Sequence, residues 1–365
     1  MKNVFKKSLV GAAVLMATGA ANAYMIGDAN DANVEVYGVV SISAVDYGSK
    51  SFDQDETNAA LREQVTDTGF ALENESRVGF RAAKTMTDSV TAFMQIESGW
   101  VLDDGAKLGN RDTFVGLRGD EWGSVRFGRM LTPLYELVDW PYSASNLGMT
   151  YDRGWRAGER FNFDRKSQMG RYDSPLFGDM VKFSLAGGNG SENHKDSNFF
   201  GGSVSVTPVD MLTLHAAFEN AEGTNFDDGL VGDTDAYFAG FELRPMDNFN
   251  ILGSYKTGSF DADVTASTSA DYKERDIDAY SVQANYYMGA MNFRVGYADQ
   301  TGETDNVKDK TLDFSTISGE VGYSFNSVYT FVRIAQQSGT YREGNGYIGT
   351  DYDDLMIRVG TEWVF

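Results

Sequence analysis

The sequence predicts an all-β chain: a 16-stranded antiparallel transmembrane β-barrel with an inward-folded third external loop. Three observations lead there. Apolar and polar residues alternate in one stretch after another, tight turns alternate with long acidic connections, and the last strand carries aromatic residues at its end. Composition agrees, because 40 Gly, 19 Tyr and 24 Phe against 5 Pro in 365 residues is a strand-and-turn mixture rather than a helical one.

The first element is a leader. Lys2, Lys6 and Lys7 precede the small and apolar run from Leu9 to Ala21, and Ala21-Asn22-Ala23 supplies an A-x-A cleavage site, so residues 1–23 read as a secretory signal peptide. Cleavage leaves 342 residues and, by removing three lysines and no acid, takes the net charge from −22 to −25. The chain has no cysteine, which suits passage through an oxidising compartment without a disulfide framework. After the leader no run of 18 apolar residues predicts a spanning helix. A membrane role therefore needs a closed barrel, which pairs every backbone group internally and puts only alternate side chains in lipid.

Next comes an acidic extension, YMIGDANDAN (24–33), and then the barrel domain, 34–365. Its first strand sets Val34, Val36, Val40 and Ile42 against Glu35, Tyr37, Ser41 and Ser43. Later strands repeat the period: Leu212, Leu214, Ala216 and Phe218 oppose Thr213, His215 and Glu219, and Tyr280, Val282, Ala284 and Tyr286 oppose Ser281, Gln283 and Asn285. Faces this polar on nearly every strand argue against a dry sandwich core. In the last strand Leu355, Ile357, Val359, Thr361, Trp363 and Phe365 share a face opposite Met356, Arg358, Gly360 and Glu362. A barrel places Trp363 and Phe365 in the aromatic girdle at the lipid–water boundary.

Seven tight turns fall at KTMTD (84–88), GDEWG (119–123), LFGDM (176–180), TPVDM (207–211), RPMDN (244–248), YMGAM (287–291) and FNSVY (325–329). Seven hairpins and one strand at each terminus make sixteen strands, an even number as single-chain outer-membrane barrels require. The long connections carry much of the acid and read as solvated external loops, and their spacing does not match a calcium loop. One differs: LTPLYELVDWPYSASNLGMTYDRGWRAGERF (131–161) is long and rich in Leu, Trp, Tyr and Met. Folding it into the barrel would bury those side chains against the inner wall and narrow the pore.

The stretches ENESRVGFRAAK (73–84), NRDTFVGLRGDEWGSVRFGR (110–129), RYDSPLFGDM (171–180) and the terminal WVF make the chain resemble the trimeric 16-stranded porins of Gram-negative outer membranes, over its whole mature length. The resemblance implies a water-filled channel in the cell outer membrane for passive diffusion of small hydrophilic solutes. It implies a homotrimer in contact with outer-membrane lipids and lipopolysaccharide, and a terminal Phe365 read, with Trp363, by the barrel-insertion machinery. No cofactor, metal or nucleic-acid partner is implied.

In that family a basic wall faces acids of the third loop. The basic side carries over to Arg77, Arg111 and Arg165, while Val39 stands where the family has a lysine after the first strand's Tyr-Gly. The loop motif Pro-Glu-Phe-Gly-Gly is absent, so Glu136 and Asp139 are candidates by position. The alternation adds Arg81, on the face of Arg77, and Arg126, opposite Val125 and Phe127. Arginines facing carboxylates across a lumen set up a transverse field that orients water and disfavours apolar solutes. The bland alternative is that each arginine pairs with a lumen acid for stability.

Two features resemble the chitoporins, sugar-specific members of the same family: the extension at 24–33, which the resemblance implies can plug the pore, and the loop sequence ELVDWPY, which sets Trp140 beside Asp139. An aromatic plane next to a carboxylate suits a sugar ring, apolar on its face and polar at its rim. The alternative is that the extension is a frayed end and Trp140 packs the loop on the wall. An outer-membrane barrel enzyme is the rival of another class, and it would need a histidine near Ser or Asp. The chain has two, His194 in a loop and His215 facing the lumen of strand 9.

A closed barrel resists detergent. The mature chain extracted from membranes is therefore expected to migrate as a compact or trimeric species until boiled, and a freely soluble periplasmic monomer would overturn the barrel.

Overall fold

The computed structural model describes residues 24–26, 33–48, 50–52, 64–67, 69–99, 108–152, 165–190, 196–225, 231–263, 274–304, 312–341 and 351–365. The expected leader at 1–23, residues 27–32 of the extension, His194 and the end of the long loop at 153–161 lie outside them.

Sixteen strands form the barrel. They are β1 (Asn33–Asp46), β2 (Phe70–Asn74 continued by Arg77–Thr87), β3 (Val90–Gly99), β4 (Thr113–Gly119), β5 (Gly123–Leu131), β6 (Arg165–Asp173), β7 (Val181–Gly188) and β8 (Asn198–Val209). The second half is β9 (Leu212–Asn225), β10 (Val231–Met246), β11 (Phe249–Ala262), β12 (Glu274–Met288), β13 (Met291–Thr304), β14 (Leu312–Phe325), β15 (Val328–Tyr341) and β16 (Asp351–Val364). Each pairs antiparallel with the next, and β16 returns to β1 from Val39↔Val364 to Asp46↔Ile357. Closure leaves no strand edge in the hydrocarbon, where an unpaired amide has no water to turn to.

Alternation sorts the solvents. On β16 Leu355, Val359 and Trp363 are about half exposed, at 48, 50 and 55%, whereas Met356 and Arg358 on the other face are 1% and 7% exposed. The exposed face is the apolar outer wall, and the lumen face carries the charge. Most turns fall where the sequence places them, with two-residue links such as Gly289-Ala290 and Asn326-Ser327. Gly289 (φ 61°) and Asn326 (φ 53°) supply the left-handed backbone such links need. The first turn falls one residue later than the sequence suggests, at Asp88-Ser89, because β2 runs on through the β-forming Thr85 and Thr87.

Two features were not legible. β2 is interrupted at Glu75-Ser76, where the Ser76 amide donates to Asn74 Oδ1 at 2.9 Å and Ser76 Oγ accepts from the Ser41 amide at 3.0 Å. Within the extension, Tyr24–Ile26 forms a short strand paired with β1, from Tyr24↔Val36 to Ile26↔Val34. It occupies the β1 edge beyond the end of β16. Between the two sits the terminal residue: the Phe365 amide donates to Gly38 O at 3.1 Å and the Gly38 amide to Phe365 O at 3.0 Å. A separate hairpin pairs Lys50–Phe52 with Gln64–Asp67.

The wall is uneven. Strands β4 to β7 run seven to nine residues, whereas β10 has 16. A tilted strand needs about 9–11 residues to cross the hydrocarbon, so one side of the barrel is barely tall enough.

At Gly38 a Cβ would lie 2.6 Å from Phe365 Cζ and 2.7 Å from Arg77 O. Gly38→Val is therefore expected to displace the terminal ring at a cost of about 1–3 kcal/mol. The temperature at which the compact form converts on gels should fall by several degrees, and an unchanged conversion would show that the ring contributes nothing to closure.

Candidate functional site: the pore lining

The lumen holds two charged regions and one inserted segment. On β1 to β7 the arginines picked out by sequence sit among wall acids. Arg111 Nε lies 2.6 Å from Glu97 Oε1, Arg126 Nη2 lies 2.6 Å from Asp173 Oδ2, and Arg165 Nε lies 2.5 Å from Asp112 Oδ1. Arg81 donates to Gln95 Oε1 at 3.1 Å and stands 3.7 Å over the Tyr37 ring, while the Tyr37 hydroxyl donates to Glu97 at 2.8 Å. Arg77 is half-buried at the start of the second part of β2, opposite Gly99. Three of the five thus have carboxylate partners on the wall itself.

Glu136 does meet an arginine, but one the sequence reading passed over. Arg171 Nη2 reaches Glu136 Oε2 at 2.5 Å, while its Nε donates to Asp173 Oδ1 at 2.9 Å. Arg171 stands directly across from Arg126 in the β5–β6 ladder. Two cations in that position repel, and Asp173 between them offsets it. Asp139 is exposed.

The second region, on β11 to β16, was not foreseen. Asn250, Asn285, Arg294, Glu320, Arg333 and Arg358 are successive cross-strand neighbours, one per strand. Side-chain contacts run along most of the row. Asn285 donates to Asn250 at 2.7 Å, Arg294 to Asn285 at 2.5 Å, and Arg333 to Glu320. Arg358 extends it past the seam, to Ser43 Oγ at 3.1 Å and Glu73 Oε2 at 2.6 Å. Alternation shows that each of these faces the lumen. The row itself depends on register between strands, which no single strand encodes.

The inserted segment, 132–152, folds as two short helices, α1 (Pro133–Leu137) and α2 (Gly148–Tyr151), with a wound turn at Val138–Tyr142. Thr132 accepts the Tyr135 amide and Pro133 opens the first helix, so the local sequence caps it. Leu134, Val138, Tyr142, Leu147 and Tyr151 are fully buried against Ala217, Ala236, Phe238, Leu252, Ile277, Ala279 and Ala298 on the lumen face of β9 to β13. Each such aliphatic side chain contributes about 1.5–3 kcal/mol by leaving water. Small wall residues make the sockets: a Cβ at Gly296 would meet Leu147 Cδ1 at 2.7 Å, and one at Gly240 the Tyr142 hydroxyl at 2.8 Å.

Polar contacts fix the rest of the segment. Gln283 donates to Pro141 O at 2.7 Å, Ser281 to Tyr142 O at 2.7 Å, Ser254 to the Tyr151 hydroxyl at 2.8 Å and Gln337 to Met149 O at 3.0 Å. Burial, with Glu242 and Tyr151 nearby, pushes the Tyr142 phenol well above its ordinary range. Trp140 is half-buried, and the Arg294 guanidinium stands 5.7 Å from its ring centroid. His215 shares Nδ1 with Ser205 Oγ at 2.8 Å, and its Nε2 lies 3.3 Å from Glu242 Oε1, beneath the Tyr142 ring.

A closed cylinder, apolar outside and lined inside by paired ions and amides, defines an outer-membrane channel. The model of the Gram-negative porin family matches residues 11–341, and the chain belongs to that family. A chitoporin of Vibrio furnissii is 33% identical, with all of both chains covered. A monosaccharide porin of a Halomonas species is 22% identical over 89% of this chain and 78% of its own. Among solved structures, OmpT of Vibrio cholerae superposes with a TM-score of 0.70 at 16% identity, covering 94% of this chain and all of that one, and it is also known in a trimer form (TM-score 0.67). Salmonella typhi OmpF in complex with daunomycin superposes at 0.67, also at 16% identity over 94% of this chain and all of its own. The protein is a porin of the outer membrane.

Gly296→Val should unseat Leu147 and loosen the segment, because overpacking of this kind costs about 1–3 kcal/mol. Single-channel conductance is expected to change by about twofold while the compact gel form persists. Wild-type conductance would show that the segment does not gate passage.

Proposed function

We propose that this porin passes small hydrophilic solutes and ions by diffusion, and that the segment from 131 to 161, the third external loop, folds into the lumen as its constriction. The observation that carries this reading is the burial of Leu134, Tyr142, Leu147 and Tyr151 against the lumen face. Arg77, Arg81, Arg111, Arg126 and Arg165 would form one side of the passage, with Glu136 and Asp139 on the loop. Because three of those arginines are tied to wall acids, the field across the passage would come from whole clusters rather than from single side chains.

The assembly proposed is a homotrimer whose copies meet along the short β4–β7 wall, where another subunit would cover what too short a strand leaves exposed. Phe127 and Val115 on that wall are 61% and 60% exposed. Outer-membrane lipid and lipopolysaccharide would surround the taller remainder. The termini of the barrel, Trp363 and Phe365, would serve the insertion machinery.

A second reading is favoured by the full-length similarity to a chitoporin: selectivity for chito-oligosaccharides, with Trp140 stacking on a sugar ring. The Arg294 guanidinium beside that ring would add donors for hydroxyl groups. The extension at 24–33 would act as a plug only after the Tyr24–Ile26 ladder with β1 is released.

Planar-bilayer recording tests both readings. Each insertion should give ohmic current that closes in three equal steps. Chitohexaose should block it at micromolar concentration, and Trp140→Ala should weaken the block about three- to tenfold, the worth of one aromatic contact. If no neutral oligosaccharide blocks at millimolar concentration, the sugar reading is lost and the general pore remains. If purified trimers carry no current at all, the pore reading is lost.

A further inference from the structure

We propose that Glu320 is the positioning residue that seats the tip of the inserted segment and, through Arg294, sets what stands beside Trp140. The inference rests on reading that segment as the constriction. Glu320 is 3% exposed on β14, in the middle of the charged row. Its Oε2 accepts from Ser145 Oγ at 2.9 Å and from Arg333 Nε, and its Oε1 accepts from the Tyr329 hydroxyl at 2.5 Å, with Arg294 Nη1 3.9 Å away. Ser145 is the tip of the segment, 175 residues away in sequence.

Arg294 closes the circuit. Its Nη1 donates to Ser145 Oγ at 2.8 Å, its Nε to Asn285 Oδ1 at 2.5 Å, and its guanidinium carbon lies 5.7 Å from the centroid of Trp140. The Ser145 hydroxyl therefore accepts from Arg294 and donates to Glu320, and it cannot leave without breaking both bonds. Neither Arg294 nor Glu320 was singled out by sequence, because their meeting with the loop is made by the closed barrel alone.

The backbone of the tip requires such a seat. Ser145 and Asn146 have φ of 55° and 69°, two consecutive residues in the left-handed region with side chains. Residues in that region persist where the surroundings over-determine them. Asn146 is held by its amide against Met356 Sδ at 3.1 Å, so both residues depend on the wall of β13 to β16. Glu320 can hold Ser145, Tyr329 and Arg333 together because both its oxygens accept. A glutamine there would turn one acceptor into a donor against groups that are themselves donors.

The test uses Ser145→Ala, Glu320→Gln, the double variant and Glu320→Asp in full-length trimers. Two measurements are made: current fluctuation in planar bilayers, and deuterium exchange of backbone amides 143–147. Losing one hydrogen bond to a charged group corresponds to about a tenfold change in an opening equilibrium. Glu320→Gln removes one of the two bonds to Ser145 and is therefore expected to raise fluctuation and exchange about tenfold, Ser145→Ala, which removes both, by more, the double variant no more than Ser145→Ala alone, and Glu320→Asp by less than Glu320→Gln. Glu320→Gln should also shift the reversal potential in a salt gradient toward anions, whereas Ser145→Ala should not.

Wild-type fluctuation and exchange in both single variants would overturn the proposal. So would effects that simply multiply, since a residue that only braces the wall is not coupled to Ser145. Should Glu320→Gln not fold, Ser145→Ala leaves the wall pair intact and decides alone, by whether the exchange of 143–147 rises. Protected tip amides in a wild type that carries no current would sink the pore reading while leaving the seat standing.

Discussion

Every backbone amide and carbonyl inside the hydrocarbon must find its partner within the protein, and the rest of the structure follows from how this chain meets that demand. Sixteen strands joined edge to edge satisfy it by closure, with the first and last strands registered from Val39↔Val364 to Asp46↔Ile357. The terminal carbonyl and amide of Phe365 extend that seam by one more pair, to Gly38. A barrel of this kind has no dry core, since lipid is on one side of each strand and the lumen on the other. Stability that a soluble domain draws from its centre has to come from the ladder, from the lipid, and from whatever fills the lumen.

One apolar segment packs against the inner wall. Residues 132–152 carry Leu134, Val138, Tyr142, Leu147 and Tyr151 into contact with small and apolar wall residues, and amide side chains of the wall take up its carbonyl groups. The charged groups then divide between two tasks. Asp173 and Glu320 each hold arginines that stand in like-charged or crowded positions, which keeps a polar lumen from repelling itself. The same groups grip the segment at two places, Arg171 at Glu136 and the Arg294–Glu320 pair at Ser145. On the proposed reading of the segment as the constriction, structure and permeation are carried by the same side chains.

How much of this was legible depends on the range over which the information acts. The strand count, most hairpin positions and the face of Arg77, Arg81 and Arg126 were readable, because alternation and turn chemistry are local. The break in β2 at Glu75-Ser76 and the strand at Tyr24–Ile26 were not, because each is decided by a partner strand: Ser41 for the break, Val34–Val36 for the added strand. The site was legible by face but not by company. Arg126 was recognised as inward-pointing, yet nothing near it in sequence says that it faces Arg171 and shares Asp173 with it.

Alternation alone specified a two-solvent cylinder with a polar lining and an apolar exterior, because a period of two needs no knowledge of neighbours. The same reading marked the 131–161 segment as unusually long and apolar for a surface loop. Which side chains meet in the lumen was decided by the tertiary structure alone. Arg294, Glu320, Arg333 and Arg358 lie on four different strands and become one row only when each strand takes its register from the next. Ser145 joins them across 175 residues only because the ring is closed.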